Sequence, residues 1–386
     1  MGLSNWLSQT MLIERLVGVS AYLLVITYLY KSLKSGNEKR SYKALNTGLF
    51  FLVLLAFLYI PGDSADLTRI RAMIQGWGDM PVDVFIGNFL TKSSVPVAYL
   101  LYYVTAKIGI KGILPAICAL VYYSNGFHIF KVLIKDSKYT GNALAYSMLV
   151  FMSSGAFLEV ISDVRCFLAF SIVMRAIFDE VYFDKTIFRH LFIYIVAALL
   201  HPAAIVLIII WLSYYLFFGK KLGVSKTILN ILTILMFVGI SVVLGQSYLA
   251  EMFTKASSFV TSSGGTYSYL WEYIIGGLQV VIFIFVLFGR RKIVADFKLF
   301  ENSNYYRFSI VLIVLILGFF FEYNIFHRYI TACSFVMIPL VAELLTASSY
   351  GAVQGRKYMF IQAISYLIVI LACTRGNLCG FKFFAL

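Results

Sequence analysis

Ionisable side chains interrupt apolar sequence at four places: "PGDSADLTRIRAMIQGW" (61–77), "EVISDVRCFLAFSIVMRA" (159–176), "AALLHPAAIVLIIIW" (197–211) and "EYNIFHRYITACSF" (322–335). A charge set into hydrocarbon costs roughly 2.5–3.5 kcal/mol on insertion scales, so charges that persist there have a use. The first stretch offers Asp63, Asp66, Arg69 and Arg71, with Asp66 and Arg69 spaced to share one helix face. The second offers Glu159, Asp163 and Arg165, with Arg175 further along. The third places His201 before Pro202, and the fourth supplies Glu322, His327 and Arg328. An arginine fork makes paired hydrogen bonds to a phosphate and stays charged when partly desolvated. Helix N-termini add free N–H groups and partial positive charge. Arg69, Arg165 and Arg328 therefore suit a diphosphate, with Asp163, Glu159, Glu322, His327 and Arg71 in support. Of the two candidates for taking a proton, His201 is preferred to Asp66, because a carboxylate among arginines is a weaker base than imidazole at neutral pH. Phosphate binding is the other role open to His201. No carboxylate cluster at ligand spacing appears, so neither a metal nor a cofactor is expected. Plainer readings stand beside these: a solvated ion pair at Asp66 and Arg69, an Arg165 snorkelling to headgroups or paired with Asp163, and a His201 that only packs.

These residues have to be carried by membrane helices. The chain is 61% hydrophobic and 13% charged, and apolar runs of near twenty residues recur along its 386 positions. The runs lie at 11–30, 44–60, 112–134, 141–160, 164–181, 187–200, 202–218, 226–245, 270–289, 305–321, 327–345 and 358–374, about twelve crossings in one all-α polytopic domain. The net charge of +14 is concentrated in short loops such as "KSLKSGNEKRSYK" (31–43), "KDSK" (135–138), "GKKLGVSK" (219–226) and "GRRK" (289–292). That is the footprint of cytoplasmic loops, so the basicity reports topology and anionic lipid, not nucleic acid. His128, His190 and Arg175 fall on the inner side and read as anchors.

With the basic loops inside, segments 61–111 and 246–269 lie outside, the second having the Ser, Thr and Gly content of a mobile loop. Counting 94–110 as a crossing would put every later basic loop on the wrong face. It is read as a non-spanning helix, interfacial or re-entrant, with Tyr99, Tyr102 and Tyr103 at headgroup depth. Between Thr186 and Lys220 there is too little chain for two full crossings, which predicts a hairpin of two short helices turning at His201 and Pro202. The 27 Tyr and 35 Phe suit interfacial belts, packing or a sugar-binding pocket. Cys118, Cys166, Cys333, Cys373 and Cys379 show no metal or disulfide spacing and are expected as free thiols. The N-terminal run lacks a cleavage site and reads as an uncleaved anchor.

"DLTRI", "DVRCFLAFS", "LLHPAA" and "FHRY", in that order, resemble the motifs of the EpsG-like branch of Wzy-type bacterial polysaccharide polymerases, and the resemblance runs over nearly the whole chain. It departs at Cys166, where that family usually has Gln, at Ile70, where an aromatic or His follows the Arg, and at Ala203, where Ser is usual. Asp66, Arg69, Arg165, His201 and Arg328 are the positions that carry over. The resemblance implies a metal-independent glycosyl transfer on the outer face of the bacterial cytoplasmic membrane. Undecaprenyl-diphosphate-linked oligosaccharide units would be joined and undecaprenyl diphosphate released, beside a flippase and a chain-length regulator. Two other classes use similar residues: a lipid-linked oligosaccharide flippase or secondary transporter, which would show internal repeats and midplane charges, and an outer-face ligase or membrane acyltransferase.

Overall fold

A computed structural model describes residues 3–61, 66–155, 157–183, 190–218, 270–297, 303–318, 323–348, 354–373 and 380–381. The chain is all-α: helices α1 (Leu3–Lys34), α2 (Glu38–Phe57), α3 (Asp66–Ile74), α4 (Val82–Phe85), α5 (Pro96–Ile108), α6 (Ile113–Lys135), α7 (Gly141–Ser154), α8 (Phe157–Ser162), α9 (Val164–Tyr182), α10 (Leu191–Leu200) and α11 (Ala203–Phe218) are followed by α12 (Leu270–Phe297), α13 (Ser303–Leu317), α14 (Tyr323–Ser348) and α15 (Gln354–Cys373). The one β pairing among the described residues joins Tyr59–Ile60 to Gly380–Phe381, antiparallel. Among the described residues three helical segments, Leu16–Lys34, Ile113–Lys135 and Ile325–Ala347, are long and apolar enough to cross a membrane, and five shorter apolar helices accompany them. The protein is thus an all-α membrane protein. The predicted run 226–245 and loop 246–269 lie outside the described residues.

Helices occupy the other predicted runs, with one correction. The run 141–160 is broken: α7 stops at Ser154, and Gly155, whose backbone lies outside helical values, separates it from α8. Glycine is required at 155 because a Cβ there would collide with the Tyr122 hydroxyl. Helix α8 follows the break and leads to Asp163, the N-cap of α9. The hairpin forms as predicted, α10 ending at Leu200 and α11 beginning at Ala203.

Helix α14 is the centre. It packs along α7 and α9, and it is buried without interruption from Tyr329 to Ala347. Pro339 lies within it, and Ser147 on α7 donates its hydroxyl to the Ile338 carbonyl beside the proline. A proline in a buried apolar helix is accommodated when neighbouring side chains meet backbone groups in this way.

The bundle has two distinct ends. At one, Thr140 N–H donates to the Thr346 hydroxyl near the C-terminus of α14, the Tyr182 hydroxyl donates to Asp136, and Lys138 pairs with Asp136 at 2.9 Å. This is the end of loops 31–43 and 135–138. At the other end lie α3, α5, α8 and the N-termini of α9 and α14. Helix α5 is 13 residues long, about 20 Å at the usual rise and shorter than a hydrocarbon core. It starts with Pro96 at its first turn and stops at Gly109, whose φ of 74° closes the helix in the left-handed region.

The aromatic residues of the segment from Trp77 to Tyr103 pack on one another. Trp77 meets Phe89 and Tyr99 at centroid distances of 4.8 and 5.8 Å, and Phe85 stacks on Tyr103 at 4.1 Å. Tyr103 also donates to the Met80 carbonyl at 2.7 Å. Tyr102 and Tyr103, expected at headgroup depth, are both buried within the protein, Tyr102 completely. A tyrosine serves a wet interface or a partly polar interior equally well, and here α5 packs against α3, α6 and α10.

Candidate functional site

Four elements at the end away from the basic loops bring the predicted charges together. Asp66 opens α3 and holds two arginines with its two oxygens. Oδ1 accepts from Arg69 one turn on, and Oδ2 faces Arg165 Nη2 at 3.7 Å from the first turn of α9. Asp163 does not pair with Arg165. It turns instead to α14, where Arg328 Nε lies 2.9 Å from its Oδ2. One residue earlier on α14, His327 Nε2 lies 3.1 Å from Glu159 Oε2 on α8, and the His327 ring packs on Phe167 at 6.1 Å.

The His201 turn is docked against the same helix start. The Tyr329 hydroxyl, next to Arg328, donates to the Ala203 carbonyl at 3.0 Å, and the Ala203 N–H donates to His201 Nδ1 at 3.2 Å. His201 thus caps α11 in the place where Ser, Thr, Asn or Asp usually serves.

These contacts fix which hydrogens are on offer. A carboxylate only accepts, so the His327 Nε2 facing Glu159 carries a hydrogen, and the Nδ1 of the neutral ring carries the lone pair. His201 is the reverse: its Nδ1 accepts from Ala203, so its Nε2 carries the hydrogen. An imidazole oriented by a carboxylate is the arrangement that general-base chemistry uses.

Charge is nearly balanced. Asp66 faces Arg69 and Arg165, Asp163 faces Arg328 and Glu159 faces His327, which lets guanidinium groups persist in a half-buried place. Arg69 is 76% exposed, whereas Arg165 and Arg328 are 29% and 28% exposed. The pairing nevertheless leaves hydrogen-bonding capacity unused. Arg328 spends only Nε on Asp163, and its Nη atoms have no partner among the described residues. Arg165 is held at a loose distance, and its buried Nε bonds to nothing.

Tyr102, expected from the sequence at headgroup depth and not in the site, adds a further group. Its hydroxyl is buried, has no hydrogen-bond partner, and sits within electrostatic reach of Arg165, Asp66 and Asp163. Burial raises its pKa far above that of an ordinary phenol, with Arg165 pulling it back only in part, so it stays a donor. An unpaired buried hydroxyl beside an unpaired guanidinium N–H marks a place where acceptor atoms are missing.

Arg71 is not brought to this cluster. It donates to the Lys111 carbonyl at 2.8 Å and reaches the Tyr59 carbonyl at 3.5 Å, tying α3 to the segments on either side of it. Asp63 and Glu322 lie outside the described residues. Cys118, Cys166 and Cys333 are free and buried, as expected of structural thiols. Among the described residues no group of His, Cys, Asp or Glu is placed to hold a metal ion.

The residues read as inner anchors are also more than that. His128 Nε2 pairs with Asp179 at 3.0 Å. His190 Nδ1 pairs with Glu180 at 3.0 Å, and Glu180 also accepts from Tyr194 and Trp211 at 2.9 and 2.6 Å. These pairs lie toward the opposite end of α9 from Arg165.

No protein-family model, curated protein or solved structure matches this chain.

Proposed function

We propose that the protein is a polysaccharide polymerase of the bacterial cytoplasmic membrane, crossing it about twelve times with the charged cluster toward the periplasm or cell exterior. The reading rests on one observation. Arg165 and Arg328, from two different helices, meet at one end of the bundle with guanidinium N–H groups left over, beside a carboxylate-oriented imidazole. Leftover guanidinium donors suit a diphosphate, and an oriented imidazole suits deprotonation of a sugar hydroxyl. The order of the motifs, which resembles that of the EpsG-like polymerases, supports the same chemistry.

Donor and acceptor are both undecaprenyl-diphosphate-linked oligosaccharides. The acceptor hydroxyl oxygen attacks the anomeric carbon of the growing chain, and His327 Nδ1 takes the hydroxyl proton while Glu159 stabilises the imidazolium. The bond from anomeric carbon to diphosphate oxygen breaks, and the electron pair leaves with undecaprenyl diphosphate. Arg165 and Arg328 meet the charge that develops on that oxygen, and Tyr102 and His201 Nε2 donate to the phosphates. Asp66, with both oxygens occupied by arginines, positions Arg165 rather than receiving a proton. The reaction uses the energy of the glycosyl diphosphate bond, and the partners are a flippase and a chain-length regulator.

Purified protein in liposomes, given only the lipid-linked repeat unit, is expected to form a ladder of glycan lengths and release undecaprenyl diphosphate without nucleotide sugar or ATP. Absence of a ladder with a competent substrate overturns the proposal. Tyr102→Phe is expected to leave the melting temperature unchanged, since its hydroxyl has no partner to lose, and to raise KM for the lipid-linked substrate about tenfold. An unchanged KM would remove Tyr102 from the site.

The buried ionisable groups near the other end of α9, Asp179, Glu180 and His190, with His128 partly buried beside them, favour one competing reading, a transporter or flippase for the same lipid-linked units. Cells lacking the protein separate the two: a missing polymerase leaves single units facing outward, a missing flippase leaves them inside.

A further inference from the structure

A second polar site lies toward the basic-loop end of α9. Between α6, α9 and α10 there is a cavity of about 390 Å³, lined by Arg175, Asn125, Asp179 and His190 together with apolar side chains such as Ile172 and Ile193. Its size is within the range of small-ligand sites, about 300–1,000 Å³. Arg175 and Arg165 are almost three helical turns apart on α9, so this cavity is separate from the cluster described above.

The two carboxylates near the cavity are hydrogen-bonded by groups other than Arg175. Asp179 gives an oxygen to His128, and Glu180 is taken up by His190, Tyr194 and Trp211. Arg175 has no carboxylate partner among the described residues. Its Nη1 donates to Asn125 Oδ1 at 3.2 Å, and Asn125 in turn donates to Ser171 at 3.2 Å, so the guanidinium is held in place by a neutral amide. His190 commits Nδ1 to Glu180, which leaves Nε2 as the nitrogen that can face a ligand. Lys131 and Lys135 follow His128 on α6, adding positive charge at this end of the bundle.

The apolar part of the lining and the bundle surface indicate what kind of anion fits. Leu120 on α6 is 45% exposed and Phe192 on α10 is 75% exposed, each adjacent in sequence to a cavity-lining residue. Hydrocarbon chains therefore have apolar surface on the same two helices whose other residues frame Arg175.

We propose that this cavity binds the phosphate headgroup of an anionic membrane lipid, with Arg175 on the phosphate oxygens, His190 Nε2 as second contact and the acyl chains against α6 and α10. The site is independent of the reaction assigned to the opposite end. Interhelical basic pockets near a cytoplasmic leaflet are suited to such lipids because guanidinium and phosphate pair bidentately and the leaflet supplies the anion.

The test is native mass spectrometry on delipidated full-length protein titrated with phosphatidylglycerol, with phosphatidylcholine of the same chains, and with inorganic phosphate. Wild type is expected to hold one phosphatidylglycerol about tenfold more tightly than phosphatidylcholine, with inorganic phosphate unable to displace it. Arg175→Gln, which can keep the Asn125 bond, is expected to abolish the preference. Ile193→Trp, which fills the cavity without touching its charges, is expected to abolish binding of that one lipid with the melting temperature unchanged or higher. An undiminished preference in Arg175→Gln or retained binding in Ile193→Trp overturns the site. Displacement by inorganic phosphate alone overturns the lipid as its occupant.

Discussion

Arg328→Lys is expected to lower the rate of polymerisation by roughly 10²–10³, the loss seen when one preorganised donor to a developing charge is removed. The reason is geometric. Arg328 spends Nε on Asp163 at 2.9 Å and has its Nη atoms in reserve. An ammonium is a single point charge, so a lysine at 328 either satisfies Asp163 or reaches the diphosphate. Arg165→Lys is expected to fall similarly, because its hold on Asp66 at 3.7 Å is loose and its buried Nε awaits an acceptor. Arg69→Lys is the control: at 76% exposure its pairing with Asp66 is largely screened by water, and a loss of no more than a few-fold is expected. Chain-length ladders from liposomes containing each variant give the answer. A normal ladder in both Arg328→Lys and Arg165→Lys would show that their charges serve the fold and not the reaction.

The residues of this cluster were visible in the sequence because charge in apolar runs is rare. Arg165, Arg328 and His201 each stand out from the side chains around them, and the spacing of Asp66 and Arg69 correctly forecast a pair on one helix face. The cross-helix partners were not visible. Asp163 is two residues from Arg165 and looks like its natural mate. As the residue capping α9, however, it has non-helical backbone angles, φ −92° and ψ 62°, and pairs with Arg328 across the bundle. Pairing between distant segments depends on how helices pack, which a local pattern does not encode. Tyr102 was hidden for another reason: amphipathic side chains occur both at interfaces and in partly polar interiors, so residue type alone assigns neither. The carboxylate partners of His128 and His190, 51 and 10 positions away respectively, were not visible either.

His327→Gln is expected to cut turnover by about 10²–10⁴, the range for loss of a positioned general base. Glu159→Gln is expected to cost nearly as much. The Glu159 carboxylate at 3.1 Å sets which imidazole nitrogen carries the hydrogen, and an amide there can present either a donor or an acceptor. If the two act as a unit, the double variant is scarcely worse than either single one, as happens when residues of one catalytic constellation are removed together. His201→Gln is expected to be much milder, because its Nδ1 is occupied by the Ala203 N–H and a glutamine retains both a donor and an acceptor. Its loss should appear in KM rather than kcat. Single-turnover measurements with the lipid-linked unit separate chemistry from binding in each variant. Additive losses at 159 and 327, or a kcat collapse confined to 201, would move the proton acceptor from α14 to the α10–α11 turn.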